Sequence, residues 1–201
     1  VSQEAVAIDP RFPGLRPEVV EGYLHAPAHQ VAEVLDGALH LLPRPRRAHA
    51  RGSARLGMIL GGPFDLGVGG PGGWVLLDEP ELHLGAGPDI VVPDLAGWRR
   101  ERVPEGFWGE DQPAAIALAP DWVCEVLSPR TERTDRGVKR RIFRREGVGH
   151  YWLLSPTLRT LEVYRLEAGR WVEVDTWEGD AVVRAEPFEA IALPLAALWA
   201  P

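Results

Sequence analysis

The sequence predicts one mixed α/β (α+β) domain, and three observations carry that reading. The chain has 201 residues, 45% hydrophobic and 25% charged, which is enough to bury one sizeable core and too apolar for a disordered chain. Its 22 Gly and 19 Pro call for many turns and short elements. An apolar run of strand length at 121–127 is followed by an amphipathic run of helix length at 135–146 and a second apolar run at 150–154.

Residues 1–27 are Pro-rich and read as an N-terminal extension, with a short helix over 17–24 where Pro17 suits the first turn. Residues 28–201 read as the single domain. Within 31–42, Asp36-Gly37 between two apolar runs predicts a β-hairpin. Residues 48–60 predict a helix, with Leu56, Ile59 and Leu60 on an apolar stripe beside Arg51 and Arg55; Gly61-Gly62-Pro63 should end it. The glycine-rich stretch 67–73 reads as a turn, because no lysine follows it and no helix opens after it, as a phosphate-binding loop requires. Strands are expected at 74–77, 81–84 and 89–95, then an insertion loop over 99–119. Residues 121–127 form the strongest strand, broken by Ser128-Pro129, and 135–146 the clearest helix. Strands at 150–154, 160–166 and 170–176 follow, the last two as a hairpin, and 194–199 closes as a short helix.

Composition removes several classes. A lone cysteine, Cys124, excludes an intramolecular disulfide framework and a cysteine zinc cluster, and points to a reducing cytoplasm. No apolar run reaches the roughly 18 residues of a membrane span, and Glu4 and Asp9 are unlike the basic flank of a signal peptide. The remaining histidines, His25, His29, His40, His83 and His150, show no metal-ligand spacing, and Cys124 and the tryptophans read as core.

The 22 basic residues comprise 21 Arg and a single lysine, Lys139, on a chain of net charge -7. The window 130–145 holds seven Arg and Lys139 against Glu132 and Asp135, a local +6 that leaves -13 elsewhere. Such a patch suits either a solvated helix face or a phosphate contact, with Arg130, Arg133, Arg136 and Arg140 as the candidate nucleic-acid contacts. At about 100° per residue, Phe143 lies about 40° to one side of Lys139 and Ile142 about 60° to the other. Lys139 therefore points with the apolar stripe. A buried ammonium calls for carboxylate partners.

Two strands offer them. Asp94 shares a predicted face with Ile90 and Val92, and Glu125 with Val123 and Leu127. Two such acids and a lysine could hold a divalent cation or form an internal salt-bridge network.

Pro93-Asp94, Glu125-Val126-Leu127-Ser128-Pro129, Thr131, Asp135, Lys139, Gly147-Val148, Tyr151-Trp152-Leu153 and Pro156 together resemble the Uma-type family of proposed restriction endonucleases, within the PD-(D/E)XK nuclease superfamily. The resemblance extends to Glu33-Val34-Leu35-Asp36-Gly37 and His49 and covers about residues 28 to 200. It implies a restriction-endonuclease-like core, a mixed β-sheet flanked by helices, with β-hairpins at both ends of the domain. It also implies divalent-metal hydrolysis of phosphodiester bonds, with Mg²⁺ or Mn²⁺ as cofactor, DNA as partner and Asp94, Glu125 and Lys139 as catalytic residues. Asp94, Glu125 and the Val126 carbonyl are the implied metal ligands. The superfamily lysine position holds Leu127, so the lysine stands on the next helix, at Lys139. Glu33, His49 and Glu81 are accessory candidates; a solvated carboxylate or a helix-surface histidine is the alternative for each. A homodimer is the default association for cutting two strands. The competing function is a catalytically silent nuclease scaffold that binds nucleic acid or a protein.

Overall fold

The computed structural model describes residues 11–109 and 112–199. The first ten residues of the expected extension, with Glu4 and Asp9, and residues 110 and 111 of the expected insertion loop lie outside the described residues.

Helix α1 (Pro17–Leu24) begins at the expected proline. Strands β1 (Gln30–Leu35) and β2 (Ala38–Pro43) form the expected hairpin, in register from Gln30↔Pro43 to Leu35↔Ala38. Asp36 and Gly37 turn it with φ of 48° and 75°, the left-handed conformation that an Asp-Gly hairpin turn supplies. Val19 and Val20 of α1 pack with Phe12, Leu15, Val34 and Ile90, so the first helix shares a small core with the hairpin.

Helix α2 (Arg47–Leu60) matches the expected helix but is not ended by Gly61-Gly62-Pro63. A π turn, Gly61–Asp65, carries it on until Phe64 is buried. The glycine-rich stretch then folds back as a turn, and a Cβ on Gly70 would lie 2.3 Å from Pro63 Cβ, a contact only glycine permits.

The remaining strands are β3 (Trp74–Asp78), β4 (Leu82–Leu84), β5 (Asp89–Val91), β6 (Leu95–Arg99), β7 (Trp122–Val126), β8 (His150–Ser155), β9 (Thr160–Glu167), β10 (Arg170–Glu178), β11 (Val182–Val183) and β12 (Leu193–Pro194). A four-stranded sheet runs β2-β1-β5-β4 and a six-stranded sheet β10-β9-β8-β7-β6-β3, with β11-β12 as a separate pair. In the larger sheet β7 and β8 are parallel and the other pairs antiparallel, which makes it mixed. Residues 89–95 are thus two strands and not one. Pro93 supplies no backbone donor, the chain leaves the first sheet after Val91, and β6 enters the second at Leu95. Asp94 sits at that joint.

Helix α3 spans 132–145 and contains a π turn, Asp135–Lys139, ahead of Arg140–Arg145. Strand β7 is buried on both faces. Its alternate residues Trp122, Cys124 and Val126 join a core with Leu56 and Leu60 of α2, Trp74 and Phe188. Val123 and the following Leu127 join a second core with Ile142 and Phe143 of α3, Tyr151 and Trp98. The two helices therefore cover opposite faces of the sheet. Among the described residues, no helix is long and apolar enough to cross a membrane.

Candidate active site

Lys139 is 3% exposed, whereas the six arginines of α3 are all half-buried or exposed. Its neighbours on the packing side, Ile142 and Phe143, are fully buried, as the helical period requires. Its ammonium Nζ lies 2.9 Å from Glu33 Oε1, 3.1 Å from Glu125 Oε1 and 3.8 Å from Asp135 Oδ1, and 3.4 Å from the Val92 carbonyl. Glu33, Glu125 and Asp135 are themselves buried. Four elements meet at one nitrogen: β1 brings Glu33, β7 brings Glu125, α3 brings Asp135 and Lys139, and the β5–β6 joint brings the carbonyl.

Beside this cluster stands Asp94. Its Oδ2 accepts the Val126 backbone N–H at 2.6 Å, and its Oδ1 lies 2.6 Å from His49 Nε2. Glu33 Oε1 also accepts the Val92 N–H at 2.8 Å, tying β1 to the joint. Glu33 Oε2 is buried with no hydrogen-bond partner.

These groups form the floor of a cavity of about 200 Å³. Leu42, Pro43, Pro45 and Pro129 supply apolar walls, and Arg44, Arg46 and Arg130 stand among its lining residues. An acidic floor beneath arginines has the charge order that a cation and a phosphodiester need together.

The electrostatics follow from burial. Burial pushes the Glu125 carboxyl well above the usual range, with the Lys139 ammonium pulling the other way. Burial likewise raises Asp135 to about 6, against Lys139 and a Thr131 hydrogen bond. Burial opposes the Lys139 charge, but Glu125, Glu33 and Asp135 outweigh it and keep the amine protonated. For His49, burial also opposes the charge, and the Asp94 hydrogen bond and carboxylate raise its pKa above the ordinary value.

Of the residues expected from sequence, Asp94, Glu125, Lys139, Glu33 and His49 line one cavity. Glu81 does not. It precedes β4 and its Oε1 lies 2.8 Å from His83 Nε2. The four candidate arginines separate as well. Arg130 lines the cavity and Arg133 is exposed, whereas Arg136 grips Glu162 through two hydrogen bonds of 2.5 and 2.7 Å and Arg140 stacks over the Tyr164 ring. Cys124, Trp122 and Trp152 are core. Asp135 carried no role in the sequence reading. Its position one turn before Lys139, on the same face, was the available signal.

Residues 20–196 match Uma2, a family described as "Putative restriction endonuclease". The chain belongs to the Uma2 family. A structure of a "putative nuclease belonging to DUF820" from Anabaena variabilis is similar at TM-score 0.66 and 21% identity, over 90% of this chain and 96% of that one. That likeness shows the shared fold. No protein of curated function matches. The Uma2 core thus has the mixed sheet and flanking helices of a nuclease fold, with the buried cluster on its α3 side.

Among the described residues, no group of three or more His, Cys, Asp or Glu side chains is spaced to hold a metal ion as the side chains stand. The donor chemistry nevertheless fits a hard divalent cation. The acids are all oxygen donors, Glu33 Oε2 is an orphaned buried oxygen, and four carboxylates face one lysine and one histidine.

Proposed function

We propose that this Uma2 protein is a metal-dependent endonuclease that hydrolyses phosphodiester bonds of DNA. The observation that carries the reading is the convergence of Glu33, Glu125 and Asp135 on Lys139, beside Asp94, at the base of a cavity lined by arginines. Asp94, Glu125 and the Val126 carbonyl would hold Mg²⁺ or Mn²⁺, with Glu33 Oε2 as a further oxygen. A bound divalent ion supplies Lewis-acid stabilisation of the charge that builds on the scissile phosphate.

The chain's own residues have distinct tasks in this reading. Arg44, Arg46 and Arg130 draw the phosphate backbone to the mouth. Lys139, kept protonated by its carboxylates, orients the attacking water or binds a phosphate oxygen. A lysine suits that position as a compact point charge with three donors that can be shared among three carboxylates. His49 fixes the rotation of the Asp94 carboxylate through its 2.6 Å contact.

The silent-scaffold reading has one observation in its favour: both Asp94 oxygens are already engaged, by His49 and by the Val126 amide. A Mn²⁺ titration of the wild type and of the Asp94→Ala, Glu125→Ala double variant separates the two. Binding lost in the double variant supports the nuclease; equal weak binding by both proteins favours the scaffold. Incubation with supercoiled DNA, single-stranded DNA and RNA then reads the substrate, and cleavage of RNA alone would overturn the DNA assignment.

A further inference from the structure

The π turn at Asp135–Lys139 is held from the sheet by side chains that lie outside the cavity. Tyr151 of β8, fully buried, donates its hydroxyl to the Asp135 carbonyl at 3.0 Å, where the π turn begins. Trp171 of β10 donates its indole N–H to the Arg140 carbonyl at 2.9 Å, just past the turn's end. Between them, Glu162 of β9 clamps Arg136 through its two terminal guanidinium nitrogens and accepts the Tyr164 hydroxyl at 2.8 Å. Three neighbouring strands thus grip one turn of helix.

A π turn accommodates one more residue than an α turn, and it recurs at functional sites. If it relaxed to α-helical bonding, residues on its two sides would rotate relative to each other by about 100°. Asp135 and Lys139 bound the turn and both belong to the buried cluster. Four residues apart, the two would still share a face in an α-helix, about 40° apart, but the angle between them would change and the ammonium would shift relative to Glu33 and Glu125. The Asp135 carbonyl is the backbone group at which the sheet opposes this.

We infer that Tyr151 is a positioning residue for Lys139, its hydroxyl fixing the π turn that aims the ammonium at Glu33 and Glu125. Its importance for cleavage rests on the nuclease reading, but the geometry itself can be tested without activity. Lys139 is the only lysine in the chain, so ¹³Cε- and ¹⁵Nζ-lysine labelling gives one side-chain probe of the site.

Tyr151→Phe keeps the ring against Phe143 and Trp171 and removes only the donor. The Lys139 signal should move by more than its line width or broaden, while the Trp152 indole signal, bonded to the Glu186 carbonyl on the sheet's other face, stays in place. Trp171→Phe should move the Lys139 signal in the same direction by a smaller amount, and it decides the matter if Tyr151→Phe does not fold. Where the protein cleaves DNA, Tyr151→Phe should lower kcat by about 100-fold with KM little changed. An unshifted Lys139 signal in the folded Tyr151→Phe protein overturns the inference, even if the protein proves to be a nuclease. A shifted signal in a protein that cuts nothing upholds the positioning and counts only against the nuclease reading.

Discussion

The Lys139 ammonium and the Glu33 carboxylate, 2.9 Å apart and both shielded from solvent, join the first hairpin to the helix that follows β7. Removing one member of a buried pair strands the other in a low-dielectric site, which costs more than the pair itself contributes. Lys139→Met should therefore lower unfolding stability by about 3 kcal/mol. Adding Glu33→Gln should recover part of that loss, giving a coupling of about 1 to 3 kcal/mol in a urea double-mutant cycle. Strictly additive effects would mean that the two side chains do not interact in solution.

His49 reaches Asp94 from α2, with side-chain exposures of 11% and 13%. If Asp94 is a metal ligand, the histidine is the group that orients it. His49→Ala should then weaken Mn²⁺ binding about 10- to 100-fold, read by titration calorimetry, with thermal stability largely kept. Unchanged affinity would remove Asp94 from the ligand set.

The Arg136–Glu162 pair gives a pH signature away from the cavity. Hydrogen bonds from Arg136 lower the Glu162 pKa below its usual 4.5, against burial that would raise it. A carboxyl whose folded pKa is depressed adds stability that is complete above its unfolded value and is lost as pH falls through the folded one. Glu162→Gln should therefore cost about 1 kcal/mol near pH 7, allowing for the partial exposure of Arg136. The gap to wild type should narrow as the pH falls below the usual 4.5 and through the lowered folded pKa, as chemical denaturation across that range will show.

The first hairpin, β7, α3 and the inward turn of Lys139 were legible because each is a local pattern: Asp36-Gly37 between apolar runs, a short apolar strand, and a 3.6-residue stripe. The rule that singled out Glu125, an acid among apolar neighbours on one strand face, applies equally to Glu33 between Val31 and Leu35. Its full burial depends on β5 pairing alongside β1, and no local pattern carries that pairing. The break of the expected 89–95 strand could be anticipated from Pro93, but not that the two pieces join different sheets. The arginines of α3 looked uniformly outward. Which of them remain for phosphate depended on Glu162, Tyr164, Asp36 and Asp89, residues that only the tertiary fold brings to them.

The buried lysine stands on α3 and not at Leu127, two residues after Glu125, and the surroundings of Leu127 argue that it cannot simply be moved there. Leu127 is 4% exposed and packs in the apolar cluster of Leu35, Val91, Ile142 and Phe143. A lysine there would bury a second ammonium among hydrocarbon, while Lys139 already occupies the carboxylates it would need. Leu127→Lys should thus lower stability by about 3 kcal/mol or more in urea. Combined with Lys139→Met, it should give no more Mn²⁺ binding or DNA cleavage than Lys139→Met alone. Recovery of either in that double variant would show that the two lysine positions are interchangeable and that the site tolerates its cation from strand or helix alike.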